Sequence, residues 1–65
     1  MRIKLNGEYS GTAARTVAEL LRELDAPSLG TAVALNGQVV RKAEHEQTAL
    51  QEYDEIELIR AVQGG

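Results

Sequence analysis

The sequence predicts a small protein of the α+β class, in which one main helix packs across a mixed β-sheet. Three observations lead to this prediction: two Asn-Gly pairs between strand-like segments, one helical stripe of apolar residues, and an alternating segment close to the last residue. With 65 residues, the chain is expected to be a single domain spanning residues 1–65. It contains no cysteine, so its small core is expected to form without disulfides or thiolate metal sites.

The first two strands are predicted from a hairpin signal. Residues 1–5 alternate, with Ile3 and Leu5 on one face, which is typical of a half-buried strand. Asn6-Gly7 then predicts a type I′ turn, because both central positions of that turn need a positive φ. A second strand is expected over residues 8–13.

One helix is predicted over residues 16–25. Thr16 and Glu19 have the Thr-x-x-Glu spacing of a capping box, which satisfies two amide groups at a helix start. Pro27 and Gly30 then favour a loop. The apolar stripe that should face the sheet has the spacing i, i+3, i+4 and i+7. Its members are Val17, Leu20, Leu21 and Leu24.

Further short strands should follow the helix. Residues 32–35 are apolar, Asn36-Gly37 predicts a second tight turn, and residues 38–40 continue as a strand. Residues 41–52 are polar and poorly periodic, so they are interpreted as a loop with one short helical turn.

The last strand is predicted over residues 55–61, with Ile56 and Leu58 on one face and Ile59 on the other. A hairpin, a helix and further strands, with the first and last strands paired through the crossover, make the arrangement called the β-grasp fold. The strand leads directly into a flexible tail at residues 62–65.

Composition and charge exclude several classes of function. Ten acidic and seven basic side chains give a net charge of -3, and the basic residues are scattered, which argues against nucleic acid as a partner. No segment has the pattern of a signal peptide or a membrane span, so the expected location is the cytoplasm. His45 is interpreted as a lone surface histidine, because its spacing from Glu44 and Glu46 matches no metal site.

The sequence ends in Gly64-Gly65, a pair without side chains beyond hydrogen. Such a pair forms a thin tail that fits a narrow channel and carries an unhindered α-carboxylate. A frayed chain end is the alternative interpretation.

Taken together, these residues resemble the thiamine-biosynthesis sulfur-carrier proteins, a ubiquitin-like family of β-grasp fold. The resemblance rests on four segments in order and extends from end to end. They are MRIKLNG at 1–7, TVAELL at 16–21, AVALNGQVV at 32–40 and IELIRAVQGG at 56–65. That family usually has Gly-Asp at the turn before the last strand, where this chain has Tyr53-Asp54.

The resemblance implies a protein that is not an enzyme but a covalent substrate. A ubiquitin-activator-like enzyme would use ATP to adenylate the Gly65 carboxylate, a persulfide donor would convert it to a thiocarboxylate, and thiazole synthase would accept the sulfur. The carrier itself would bind no cofactor or metal and would contribute no catalytic residue. Gly64 and Gly65 would form the part that enters the partner's active site.

Ordering the tail on binding costs about 1–2 kcal/mol per residue, so contacts of the body with its partner should offset this cost. The residues expected to dock near the base of the tail are Ile59, Ala61 and Val62, and covering a second small core is their alternative role. The acidic residues Asp54, Glu55 and Glu57 could pair with a basic partner surface or face solvent. Arg60 has the same two alternatives.

Three other functions fit the same residues. The small subunit of molybdopterin synthase shares the fold and the diglycine end, although it is usually longer between the helix and the final strands. A β-grasp module that binds a partner without covalent chemistry would need no diglycine. A modifier conjugated to lysines of other proteins would use it.

Overall fold

The last strand of the chain lies at the centre of the sheet. The computed structural model describes residues 1–27 and 29–60. Its elements, in chain order, are β1 (Arg2–Leu5), β2 (Glu8–Gly11), α1 (Val17–Glu23), β3 (Thr31–Leu35), β4 (Gln38–Val40), a 3-10 turn (Lys42–Glu44) and β5 (Glu55–Arg60). The strands form one five-stranded sheet in the order β2-β1-β5-β3-β4. Strands β1 and β5 are parallel and the other neighbours are antiparallel, which confirms the predicted mixed sheet and its helix.

Both Asn-Gly turns have the predicted backbone conformation. Asn6 and Gly7 have φ values of 49° and 86°, and Asn36 and Gly37 have values of 50° and 85°. Positive φ at both central residues is the signature of type I′, the turn whose twist suits a two-residue hairpin. These turns connect β1 to β2 and β3 to β4 as antiparallel hairpins, although β2 ends at Gly11 and not at residue 13 as predicted.

Helix α1 is shorter than predicted and its capping differs in one respect. Thr16 is the N-cap, and its hydroxyl oxygen accepts a hydrogen bond from the Glu19 N–H at 3.1 Å. The Glu19 carboxylate does not return to the N-cap amide; it accepts from the Arg15 N–H at 2.7 Å. Two amides at the helix start are satisfied, but the second belongs to the residue before the cap.

The core lies between α1 and one face of the sheet. Its buried members are Ile3, Ala14, Val17, Leu20, Leu21, Val33, Val40, Leu50 and Ile56. Three of the four predicted helix residues belong to it, but Leu24 lies at the C-cap and is exposed. The helix ends one residue earlier, at Glu23, and Asp25 has a φ of 55°, so Leu24 leaves the apolar stripe.

The polar segment after β4 packs against the helix start. Val17 N–H donates to Thr48 O at 3.0 Å, and Ala18 N–H donates to His45 O at 3.0 Å. His45 is therefore only 4% exposed, and its Nε2 lies 3.1 Å from Val40 O, so the prediction of a surface histidine is wrong. The residues that the structure describes contain no cluster of His, Asp and Glu that could hold a metal ion. They also contain no helix long and apolar enough to cross a membrane.

Candidate functional site

The candidate site is the end of β5, from which the chain continues toward its last residue. Strand β5 ends at Arg60, whose partner in the sheet is Thr31 at the start of β3. The predicted site residues Ala61, Val62, Gly64 and Gly65 lie outside the described residues. The structure therefore bears on the site through the strand that leads to it and through the surface around Ile59.

The two sides of β5 are held differently. On one side, β3 pairs with it over five positions, from Leu35 opposite Ile56 to Thr31 opposite Arg60. On the other side, β1 pairs at only two positions, of which the last joins Leu5 to Ile56. The chain turns away after Leu5, so the last part of β5 has a strand neighbour on one side only within the described residues.

Both hairpin asparagines bind β5 with side-chain and backbone atoms. Asn6 N–H donates to Ile56 O at 2.9 Å, and its Oδ1 accepts from Leu58 N–H at 2.9 Å. On the opposite side, Asn36 N–H donates to Glu55 O at 2.7 Å, and its Oδ1 accepts from Glu55 N–H at 2.9 Å. The second turn thus holds the first residue of β5, and the first turn holds its second and fourth residues.

An apolar surface lies on the sheet face that α1 does not cover. Ile59 is 62% exposed there and is the direct cross-strand partner of Ala32. A shallow depression beside them is completed by Gly30 and Thr31. Farther along the sheet, Val39 is 74% exposed. We call the residues Ile59, Ala32, Ala34 and Val39 the open face; Ala34 pairs with Val39 in the β3–β4 register.

The acidic residues near β5 do not form one free cluster. Asp54 accepts hydrogen bonds from Asn36 Nδ2 at 3.0 Å and from Gln51 N–H at 2.7 Å, so its carboxylate is used within the turn. Glu55 lies 3.6 Å from the Lys4 ammonium. Of the three predicted acidic residues, Glu57 is exposed and forms no ion pair with another described residue.

Tyr53 adopts a backbone conformation that favours glycine. Its φ is 66°, at the turn where the resembled family usually has glycine. Its ring meets that of Tyr9 edge-on, with 6.4 Å between centroids and an angle of 87° between planes. The Lys4 ammonium lies 5.8 Å from the centroid of the Tyr9 ring. The contact with Tyr9 gives a reason for a tyrosine at a position whose backbone conformation favours glycine.

The sequence analysis did not predict the side-chain bond from Asn6 to the Leu58 N–H, two residues before the end of β5. It treated this asparagine only as a residue that tolerates positive φ. A signal was present: the predicted pairing of the first and last strands places the turn after the first strand beside the last one. A side-chain oxygen in that turn is then within reach of unpaired amides.

Comparisons with known proteins agree with this fold and length. The sequence model of the ThiS family matches residues 3–65. The chain is 38% identical over 66 aligned residues to the sulfur carrier protein ThiS of Escherichia coli (strain K12), and the alignment covers all of both chains. It is also 35% identical to a segment of a protein named thiazole synthase from Paramagnetospirillum magneticum. That match covers all of this chain and only 20% of the other protein.

Solved structures show the same similarity. The crystal structure of the thiamine biosynthesis protein ThiS from Geobacter metallireducens matches with a TM-score of 0.85 and 28% identity, covering all of both chains. A solution structure of a thiamine biosynthesis protein from the same organism matches with a TM-score of 0.82 and 29% identity, over 88% of that chain. These matches confirm the β-grasp fold and favour the thiamine pathway over the molybdopterin pathway. The chain belongs to the ThiS family of sulfur carrier proteins of thiamine biosynthesis.

Proposed function

We propose that this carrier holds sulfur on its own C-terminal carboxylate, at Gly65. The observation that carries the proposal is the family match through residue 65, which includes Gly64-Gly65. A carboxylate is a poor acylating group, so an activating enzyme first joins it to AMP from ATP and releases pyrophosphate. The terminal sulfur of a persulfide then displaces AMP, and a thiol cleaves the sulfur–sulfur bond to leave the thiocarboxylate. The carrier is the substrate of these steps, binds no cofactor, and supplies none of their acid–base groups.

The partner that receives the sulfur is proposed to be thiazole synthase. This chain matches a segment of a protein that is named thiazole synthase. A carrier-like segment is thus part of the same polypeptide in that protein, which supports the proposal. The activating enzyme is proposed to be of the ubiquitin-activator type, with a persulfide protein as sulfur donor. We place these reactions in the cytoplasm, where ATP is available to the activating enzyme.

The open face is proposed as the surface that docks on the activating enzyme. It includes the strand that leads into the tail, and Ile59 with its β3 partner Ala32 offers an apolar contact one residue before the end of β5. Contacts there would offset the cost of ordering the tail, at about 1–2 kcal/mol per residue. Ala61 and Val62 would extend the same contact. Glu57 lies on this face beside Ala34 and would meet a basic group.

Intact mass spectrometry of the protein from its native cells tests the covalent chemistry. We expect a population that is heavier by the difference between one sulfur and one oxygen, with the change localised to Gly65. Its abundance should rise when thiamine is withheld. Unmodified protein under both conditions would contradict the proposal and favour non-covalent binding. Isopeptide-linked adducts would instead indicate a conjugated modifier.

Deletion of Gly64 and Gly65 tests the same proposal in cells. Among the described residues, the last buried core member is Ile56 and the last apolar residue packed against the core is Leu58, so the thermal midpoint should change little. Thiamine-dependent growth should nevertheless result, because no carboxylate of the right reach remains. Normal growth of cells that contain only the deleted form would refute the carrier chemistry at Gly65.

A further inference from the structure

We propose that Asn6 is a positioning residue for the C-terminal tail. Its side-chain carbonyl oxygen holds β5 on the side where β1 has already ended, and so fixes the direction in which the chain leaves the sheet. The inference rests on the proposed function, since it assigns a role in presenting Gly65 to the activating enzyme. Asn6 touches no reacting atom in this role and acts only through β5.

The geometry places Asn6 at the last point of support on that side. Polar groups of a strand alternate between its two neighbours, so those of Ile56, Leu58 and Arg60 point toward β1. Asn6 N–H binds Ile56 O and Asn6 Oδ1 binds Leu58 N–H, each at 2.9 Å. Arg60 lies beyond both bonds, and the described residues of β1 end before it. Without the Asn6 oxygen, β5 would be held beyond Ile56 by β3 alone.

This bond matters for presentation because only one residue separates Arg60 from the predicted tail at residues 62–65. A strand held on both sides up to Leu58 limits the directions in which the following residues can extend. Binding to a partner then orders fewer residues, and preorganised segments bind more tightly because less freedom is lost. The loss of one net hydrogen bond corresponds to about a two- to tenfold change in an equilibrium constant.

Asn36 supplies a matched control within the same molecule. It has the same residue type, the same position in an Asn-Gly turn and almost the same φ, 50° against 49°. Its Oδ1 also accepts from a β5 amide at 2.9 Å, but that amide is Glu55, at the end of the strand remote from the tail. Asn36 Nδ2 also donates to Asp54 Oδ1 at 3.0 Å, so a role that is only structural would make Asn36→Gly at least as disruptive as Asn6→Gly. A role in positioning the tail would not.

The test compares three variants of the full chain: Asn6→Gly, Asn6→Asp and Asn36→Gly. Glycine keeps the positive φ and removes the acceptor oxygen, while aspartate keeps an acceptor at the same distance from the backbone. Amide hydrogen exchange is measured at Leu58 and Glu55 by NMR. KM and kcat for each carrier are measured from pyrophosphate release by the purified activating enzyme with ATP.

We expect Asn6→Gly to speed exchange at Leu58 and to raise KM about two- to tenfold with little change in kcat. Asn6→Asp should restore both values. Asn36→Gly should speed exchange at Glu55 and leave KM within twofold of the original chain.

Two results would overturn the inference. The first is an unchanged KM for Asn6→Gly although Leu58 exchange has increased. The second is an equal rise in KM for Asn36→Gly, which would indicate a general loss of stability. If the original chain itself releases no pyrophosphate, the proposed function fails instead, and that outcome is separate because the exchange measurement needs no partner.

Discussion

Replacing Ile59 by alanine tests whether the open face docks on the activating enzyme. Ile59 is the largest apolar side chain that β5 contributes to that face. The buried Ile56 and the half-buried Leu58 lie on the other face of the same strand. Because it is exposed and outside the core cluster, its truncation should not unfold the protein. The change therefore separates a contribution to binding from a contribution to folding.

The expected loss of binding free energy follows from the exposed fraction of Ile59. Complete burial of an isoleucine side chain is worth about 1.5–3 kcal/mol. Since 62% of the residue is exposed, covering that part in a complex is worth about 1–2 kcal/mol. Every 1.4 kcal/mol is about tenfold in affinity, so Ile59→Ala should weaken binding about five- to thirtyfold.

Isothermal titration calorimetry of the carrier against the activating enzyme measures this loss directly as a change in Kd. The matched control is Leu24→Ala, which shortens another exposed aliphatic side chain but lies at the end of α1, on the other side of the sheet. Its Kd should stay within twofold of the original. If Ile59→Ala also stays within twofold, the exposed isoleucine is an ordinary surface residue and the partner binds elsewhere.

Two further predictions concern stability. Thr16→Ala removes the oxygen that caps the Glu19 amide, so the free energy of unfolding in urea should fall by about 1 kcal/mol, and Thr16→Ser should restore it. A loss shared by Thr16→Ser would contradict the capping explanation. Tyr53→Gly relieves a positive φ worth about 1–2 kcal/mol but adds freedom to the unfolded chain and removes the contact with Tyr9. It should be nearly neutral in the original chain and stabilising by up to about 1 kcal/mol in a Tyr9→Ala background; equal effects in both would mean that the two rings are not coupled.

The local elements were predictable because their signals are carried by neighbouring residues. An Asn-Gly pair between alternating segments has few alternatives to a type I′ hairpin, and both such pairs have the expected φ values. Thr16 with Glu19 likewise marked the start of α1 to the residue. The end of the helix was less determined, since no glycine follows directly and Asp25 adopts the positive φ that ends it.

Features that depend on distant residues were not predictable in this way. His45 lies in a polar segment and becomes buried only because the segment binds the start of α1, through bonds such as Ala18 N–H to His45 O. Asp54 reads as a surface charge, but its two carboxylate oxygens bind Asn36 and Gln51. Ala18 and Asn36 are distant from these residues in sequence, and Gln51 binds through its backbone N–H. Local composition indicates neither kind of partner.

The position of β5 explains how a chain of this size can combine a stable body with a reactive end. Strand β5 is paired with both β1 and β3 at Ile56, and strands paired on both sides open less easily than edge strands. Ile56 anchors β5 in the core, and the pairing with β3 continues to Arg60. The residue that carries the proposed chemistry, Gly65, thus follows the anchored strand β5 by only a few positions. Substitutions that loosen the edge strands β2 or β4 should therefore change stability before they change activation, while those at Asn6 or Ile59 should do the reverse.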